Sequence, residues 1–420
     1  MVTTHDARPS TPPRLAVIGG GPVGLSLALL ARQRLPGWSV SVFDTRGADK
    51  DIAGDPRTLA LSLGSVQLLE RLRAWPGEKS APIRQVHVSQ APPTLATPFG
   101  DPVVHIRADE LGVSMLGAVL SYGTLLAPLQ QAFLDACATN EGSLGTLQAG
   151  LHARFSTAVS EVRTDGDGVL VAHEGSVAER FDLAVIAEGG VFAEQSRKAL
   201  THDYRQTAWV GTVTLEGALP GLAMERFTRD GPLALLPLPA LPGADPKTSR
   251  AALVWCVDSA DDPVAPLTDA QRLAVLATRL PEAVGTPVAI SPLKSFALGL
   301  NAEASLVDGR VVRIGNAAQT LHPVAGQGLN LGLRDAFLLV DRLANGAQST
   351  DAGVTQALRG LAFARAPDRW SVIGATDFLA RSFTWHAPGL AAARGLGLAA
   401  MQAVPPLKRA FARQMMFGWR

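Results

Sequence analysis

Three glycines in the spacing Gly19-x-Gly21-x-x-Gly24, followed by the acid Asp44, have the residue types and the order of a dinucleotide-phosphate cradle. The first glycine permits a tight turn, the second lets backbone approach a pyrophosphate, and the third lets a helix close on a strand. The helix amino terminus that follows favours phosphate charge. Asp44, twenty residues past Gly24, would accept hydrogen bonds from an adenosine ribose. The alternative is a glycine turn without a ligand. The motif does not separate NAD from FAD, but no second such motif follows a strand, and Cys137 and Cys256 form no Cys-x-x-Cys pair. A tightly bound flavin, reduced by a visiting nicotinamide, is the more economical reading.

The second dense segment is Gly315-Asn316-Ala317-Ala318-Gln319-Thr320-Leu321-His322-Pro323-Val324-Ala325-Gly326-Gln327-Gly328-Leu329-Asn330. Asn316, just after a strand, has the amide needed to bond a polyol chain. Small residues at 325, 326 and 328 would let backbone lie close to a flat ring. The helix that opens here would aim its positive end at the charge of a reduced flavin. A plain loop-to-helix connection is the alternative. Arg57, in Asp55-Pro56-Arg57-Thr58-Leu59-Ala60-Leu61-Ser62, is a charge entering an apolar run, which calls for an anion or carbonyl partner unless it is a solvated loop arginine. His322 is a candidate for proton transfer, set against a structural histidine beside a proline.

The elements that must position these residues follow from periodicity. Residues 14–18 read as a strand, Pro22 to Gln33 as a helix and Trp38 to Phe43 as a strand ending at Asp44. Ser121 to Ala138 has helical spacing, and Asp182 to Ala187 is a buried strand running into Glu188-Gly189-Gly190. Between 205 and 260 the pattern changes to strands with turn signals, at Ala208 to Leu215, Met224 to Phe227, Leu233 to Leu238 and Ala251 to Val257. Arg310 to Ile314 returns to the first style and leads to a helix from about Leu329. The fold class is therefore α/β, with a discontinuous Rossmann-like cofactor domain and an antiparallel β-sheet substrate domain. The chain from 352 onward reads as helical, broken at Pro367, Pro388 and Pro405-Pro406.

Composition narrows the partners. The 420 residues are 47% apolar and 18% charged, with a net charge of +1, which gives no electrostatic case for nucleic acid. No metal is expected. Met1 to Pro13 lacks the apolar core of a secretory signal, and the apolar stretch Leu15 to Ala31 is punctuated by glycines, unlike a membrane helix. A cytoplasmic protein is expected. The apolar stretch from Pro388 to Pro406 is a candidate contact for a membrane surface or a second subunit.

These segments, with Glu225-Arg226-Phe227-Thr228, Gly231-Pro232-Leu233-Ala234-Leu235-Leu236-Pro237 and the run from Gly315 to Asp335, resemble the flavoprotein aromatic hydroxylases, most closely the ubiquinone-biosynthesis branch. The Gly-Asn-Ala-Ala-Gln opening at Gly315 resembles that branch where related hydroxylases usually have Gly-Asp-Ala-Ala-His. The resemblance implies a p-hydroxybenzoate-hydroxylase-like fold, with residues 1–80, 121–190 and 309–345 binding FAD, 81–120 and 191–308 forming the substrate domain, and 346–420 a C-terminal helical region. It implies NAD(P)H as transient reductant and a flavin hydroperoxide that delivers one oxygen atom of O2 to the ring of a prenylated phenol. By position, Gly19, Gly21, Gly24 and Asp44 would hold the adenosine diphosphate part, Arg57 neighbouring cofactor atoms and Asn316 the ribityl chain. Glu188, Gly189, Gly315, Leu329 and Asn330 would complete the cofactor contacts. Pro323, Gly326 and Gly328 would line the flavin ring beside His322. The sequence departs from the family at Glu188, where Asp-Gly is usual. A substrate with an isoprenoid tail would place the enzyme at the inner-membrane face or beside a carrier, alone, as a homo-oligomer or in a quinone-biosynthesis complex. A hydroxylase of a small soluble aromatic acid and a non-catalytic FAD-binding subunit are the alternatives.

Overall fold

The computed structural model describes residues 12–92, 102–139, 148–188, 198–322, 326–346, 351–382 and 389–419. The apolar run Arg14–Ile18 forms β1, buried from Leu15 onward, and Pro22–Arg34 forms α1, with Pro22 in the first turn where its missing N–H costs nothing. Ser39–Phe43 is β2, parallel to β1 with Leu15 beside Val40 and Ile18 beside Phe43. Next come β3 (Thr58–Ser62), α2 (Leu63–Arg71), β4 (Ala81–Ile83), β5 (Gln85–Gln90), β6 (Val103–Arg107) and β7 (Gly117–Ser121). Helix α3 (Tyr122–Ala138) is capped by the Ser121 hydroxyl, which accepts from the Thr124 N–H at 3.1 Å.

Strand β8 (Gly150–Arg154) precedes the meander β9 (Val159–Asp165), β10 (Gly168–His173) and β11 (Glu179–Phe181), and β12 (Leu183–Ile186) lies parallel to β1. The next strands are β13 (Lys198–Glu216), β14 (Leu222–Phe227), β15 (Pro232–Leu238) and β16 (Thr248–Asp258). They are followed by α4 (Asp269–Arg279), β17 (Thr286–Ile290), β18 (Lys294–Glu303), β19 (Val307–Asp308), β20 (Val311–Arg313) and β21 (Gln319–Thr320). Helices α5 (Gln327–Asn345), α6 (Asp351–Ser382), α7 (Leu390–Ala403) and α8 (Pro405–Phe417) complete the order.

Two large sheets result. The six-stranded sheet has the order β19-β20-β12-β1-β2-β8, and the nine-stranded sheet runs β21-β18-β13-β16-β15-β14-β5-β6 with β17 beside β13. Alternation along β1 sends Leu15 and Val17 into a core with α1, α3 and α5, and Ala16 and Ile18 into a second core with the meander residues Val169 and Phe181. On the nine-stranded sheet, Leu253 and Trp255 pack with Leu276 of α4, while Ala223 packs with Leu63, Val119 and Met416. That second face therefore meets α2, β7 and α8.

Two expectations are corrected. The strand read at Ala208 to Leu215 is part of the 19-residue β13, whose register shifts between Asp203 and Gln206, where Arg205 takes a positive φ of 52°. Pro367 does not end a helix but lies inside α6. Buried Arg365, Asp368 and Arg369 hold the helix on both sides of it, and the carbonyl that loses its donor belongs to Phe363, which is 85% exposed. Among the described residues no helix is long and apolar enough to cross a membrane.

Candidate functional site

The turn after β1 is as tight as its glycines suggest. Gly19 has φ +108°, and a Cβ there would lie 2.8 Å from the Cβ of Glu188. A Cβ on Gly24 would lie 1.9 Å from the Gly19 carbonyl oxygen, so α1 closes on the turn with no room for a side chain. Gly21 is the N-cap of α1, makes no side-chain cap, and is followed by no acid in the first turn. The first N–H groups of this helix thus lack a side-chain acceptor, which fits the phosphates of a dinucleotide.

Asp44 sits beneath this turn, where it is buried. Its carboxylate accepts from the Gly20 N–H at 2.7 Å and from the Arg46 backbone N–H, Nε and Nη2 at 2.7, 3.0 and 2.8 Å, while Arg46 also donates to the Gly20 carbonyl. The sequence reading placed Asp44 on a ribose; in the fold its carboxylate ties β2 to the glycine turn. Arg46, which that reading missed, was signalled by an Asp-x-Arg spacing at the end of β2. Its hydrogen bonds to Asp44 raise its pKa further. Glu188 stands against Gly19, and burial followed by the nearby Asp44 charge pushes its carboxyl above the usual range.

Arg57 is exposed, forms an ion pair with Asp55 at 2.7 Å and lies over the Tyr122 ring, 4.1 Å from its centre. The Tyr122 hydroxyl is 3.6 Å from the Cβ position at Gly21, so Arg57 and Tyr122 border the glycine turn from the start of α3. Tyr122 had no signal in the sequence beyond its place after a helix cap.

The second segment meets the first. Gly315, at φ +59°, lies against Val23 of α1, and a Cβ on Gly332 of α5 would lie 2.8 Å from both the Gly315 Cα and the Val23 Cγ2. Asn316 is exposed, with its amide oxygen 3.9 Å from the Cβ position at Gly328. Helix α5 begins at Gly326, in the left-handed region at φ 57°, again with neither a side-chain cap nor an acid in its first turn. Two uncapped helix ends thus converge near Gly315, a fit for a ligand with phosphates at one end and a reducible ring at the other.

Not every expected residue faces that space. Leu329 packs against the core formed by β1, α1, α3 and α5. The Asn330 amide is spent on protein: it accepts from the Ser62 N–H at 2.8 Å and Ser65 Oγ at 2.7 Å, and donates to the Ala60 and Gly326 carbonyls at 3.0 and 2.9 Å. It fastens β3 and α2 to the α5 start. His322 is buried, bonds Gln206 Oε1 at 3.0 Å through Nε2 and meets Tyr204 edge-on, and burial lowers its pKa to about 4. It is therefore a neutral anchor of the loop on β13 at ordinary pH. Gly189 and Pro323 lie outside the described residues.

Comparison with known proteins decides among the dinucleotide enzymes. Residues 148–353 match the family described as FAD binding domain. Over 409 residues the chain is 31% identical to the ubiquinone hydroxylase UbiL of Rhodospirillum rubrum, covering 95% of this chain and 88% of that protein. The chain belongs to the FAD-dependent ubiquinone-biosynthesis hydroxylase family. It is also 28% identical over 414 residues to the 3-demethoxyubiquinol 3-hydroxylase of Escherichia coli, covering 95% and 97% of the two chains. The p-nitrophenol 4-monooxygenase PnpA of Pseudomonas putida shares the fold, with a TM-score of 0.67 and 16% identity over 98% of this chain and all of that one. A family member of this kind is a flavin-dependent aromatic hydroxylase, with FAD as cofactor and NAD(P)H the reductant typical of the family.

Proposed function

We propose that the protein hydroxylates the aromatic ring of a polyprenylated phenol in ubiquinone biosynthesis, consuming NAD(P)H and O2. The observation that carries this reading is the convergence of the α1 and α5 amino termini at Gly315, in a chain similar along nearly its whole length to two proteins named as quinone hydroxylases. Gly19, Gly21 and Gly24 hold the pyrophosphate on α1, Asp44 and Arg46 the adenosine end, Arg57 the adjoining cofactor atoms, and Asn316 the ribityl chain. Gly326 and Gly328 leave room for the flavin ring at the start of α5. Bound FAD supplies the activated oxygen; the chain's own residues orient the ring and keep water away from it.

Arg57→Ala tests one of these roles. The side chain is exposed, so stability should change by no more than about 0.5 kcal/mol. The FAD dissociation constant should rise roughly ten- to hundredfold, as for one lost charge-assisted contact, when followed by flavin fluorescence. Unchanged affinity would remove Arg57 from the cofactor site.

A cleft of about 510 Å³ at the end of the nine-stranded sheet, lined by Leu215, Leu219, Leu222, Leu235 and Leu238, has the size and apolar walls that suit part of a prenyl tail. Arg84 and Arg250 stand at the same cleft, and they favour the second reading, a small aromatic acid bound through its carboxylate. Exposed Phe363 and Phe378 on α6, and Leu396, Leu407 and Trp419 nearer the end of the chain, support contact with a membrane face that holds the tailed substrate. Affinities for one phenolic ring with and without a prenyl chain separate the readings. Tighter binding of the prenylated phenol is expected, and preference for the short acid would sink it. Bound FAD with no phenol-dependent NAD(P)H consumption would favour a non-catalytic subunit.

A further inference from the structure

The segment Glu225-Arg226-Phe227-Thr228 has no role in the cofactor site. Along β14, Met224 and Arg226 point to one face of the nine-stranded sheet, and Ala223, Glu225 and Phe227 to the other. Met224 belongs to the core under α4, whereas Ala223 belongs to the core shared with Leu63, Val119 and Met416. Glu225 is therefore on the face that meets α2, β7 and α8. Its register neighbours on that face are Val88 of β5 and Ala234 of β15, with Val254 of β16 beyond, none of which has a side chain able to donate a hydrogen bond. Its Oε1 is buried with no partner among the described residues.

Two anchors relate this face to the flavin loop. At one end His322 bonds Gln206 of β13, two residues from Ala208, which stands in register with Cys256. At the other end a Cβ on Gly326 would lie 3.1 Å from the Cβ of Ala60, and Ala60 packs in the same core as Ala223 and Leu236. The two described ends of the loop thus lie at β13 and at the core that holds Ala223, on the face of the sheet that carries Glu225. An unpaired carboxylate among apolar neighbours is costly as a structural element, and burial pushes this one up to about 7, into the range where a proton acceptor works near neutral pH.

We infer that Glu225 is a catalytic base that removes the proton from the phenolic hydroxyl of the bound substrate. This rests on the ring-hydroxylase reading. The O–H bond of the phenol breaks, its proton bonds to a Glu225 carboxylate oxygen, and the electron pair stays on the phenolate oxygen. That pair enriches the ring carbons ortho and para to it, which prepares them for attack by an electrophilic oxygen atom. The proton leaves Glu225 for solvent before the next turnover. The step exchanges no electrons. The same carboxylate repels an aromatic acid placed against it. Among groups facing Glu225 from neighbouring elements, the Cys256 thiol on β16 is held far above its usual value by burial and by Glu225 itself, and His322 at the loop anchor is neutral. Arg226 lies on the opposite face, donating to Ser89 Oγ at 3.1 Å.

The test uses FAD-loaded wild type and Glu225→Gln, whose kcat for hydroxylating a prenylated methoxyphenol is followed against pH. In wild type kcat should rise with pH through a midpoint of about 7, where Glu225 loses its proton and becomes able to accept one, and in E225Q that limb should be absent. Affinity for the neutral phenol should stay within about threefold, while kcat for hydroxylation falls on the order of 10²–10⁴-fold. An equal kcat and an equal pH profile in the two proteins overturn the Glu225 role alone. Wild type that neither binds nor hydroxylates the phenol overturns the ring-hydroxylase reading and this role with it. If E225Q loads no FAD, Glu225→Asp replaces it: a displaced pH midpoint for kcat with KM retained supports the base, and an unmoved one overturns it.

Discussion

Gly24→Ala should yield protein that carries almost no FAD and unfolds more easily than wild type. The added methyl would come within 1.9 Å of the Gly19 carbonyl oxygen. That oxygen cannot retreat, because β1 is held on both sides by parallel pairing with β12 and β2 and its residues Leu15 to Ile18 are buried. Helix α1 must move instead, and it is buried over Pro22–Ala31 against α3 and α5. Overpacking of side chains typically costs about 1–3 kcal/mol, and a clash with fixed backbone belongs at or above the top of that range. The shift also draws the helix amino terminus away from the turn that aims it. Gly21→Ala provides the contrast. Its methyl would meet only the Tyr122 hydroxyl, at 3.6 Å, so the chain should fold with near-normal stability and lose FAD affinity because backbone can no longer approach the pyrophosphate. Flavin absorbance per protein and thermal midpoints, read together, check both. A G24A protein with full FAD and an unchanged midpoint would show that α1 does not close on the turn as described.

The second large effect is expected at Asp335. This residue has no solvent exposure and accepts from Arg365 Nε at 2.6 Å, while Arg365 also contacts Asp368. Asp368 in turn faces Arg334 at 3.5 Å and accepts from the Trp419 N–H at 3.2 Å, so one buried charge cluster ties α5 to α6 and to the residues after α8. Asp335→Ala leaves the Arg365 cation buried with a single carboxylate partner that it must share. Breaking a buried pair in this way costs about 3–5 kcal/mol, and the remaining Asp368 places this case toward the lower end. Asp335→Asn keeps an acceptor for Arg365 Nε and should cost less. Urea midpoints with unchanged slope measure the two losses. Equal stability of wild type and D335A would mean that the cluster contributes specificity of packing rather than stability.

Sequence reasoning reached the cofactor half of this protein because its signals are local. The glycine spacing, the apolar run Arg14–Ile18 and the period of Pro22–Arg34 lie within one β–α–β stretch, and each appears in the fold within a residue or two of the reading. The same holds for the turn at Gly315 and the start of α5, whose small residues mark close approach. What escaped depends on partners far along the chain. Arg46 matters because Gly20 lies across from it, and Tyr122 because folding carries the start of α3 to Gly21. Asn330 was read as a cofactor-binding residue, and the four hydrogen bonds of its side-chain amide go to Ser62, Ser65, Ala60 and Gly326, three of them more than 260 residues away in sequence and none visible from spacing. Pro367 was read as a break because local propensity disfavours it; the buried Arg365 and Asp368 around it overrule that preference. Glu225 stood in a motif that the resemblance recognised, but only the pleat of β14 shows which way it points.

Transfer of one atom of dioxygen to the ring of a prenylated phenol is the activity proposed for this chain. The most direct measurement supplies FAD-loaded protein with NAD(P)H, a prenylated methoxyphenol and isotopically labelled O2, and weighs the product by mass spectrometry. The expected product carries a single labelled oxygen in a new ring hydroxyl, with the other atom released as water and one NAD(P)H consumed per product. Protein that holds FAD and oxidises NAD(P)H but returns the phenol unlabelled would contradict it.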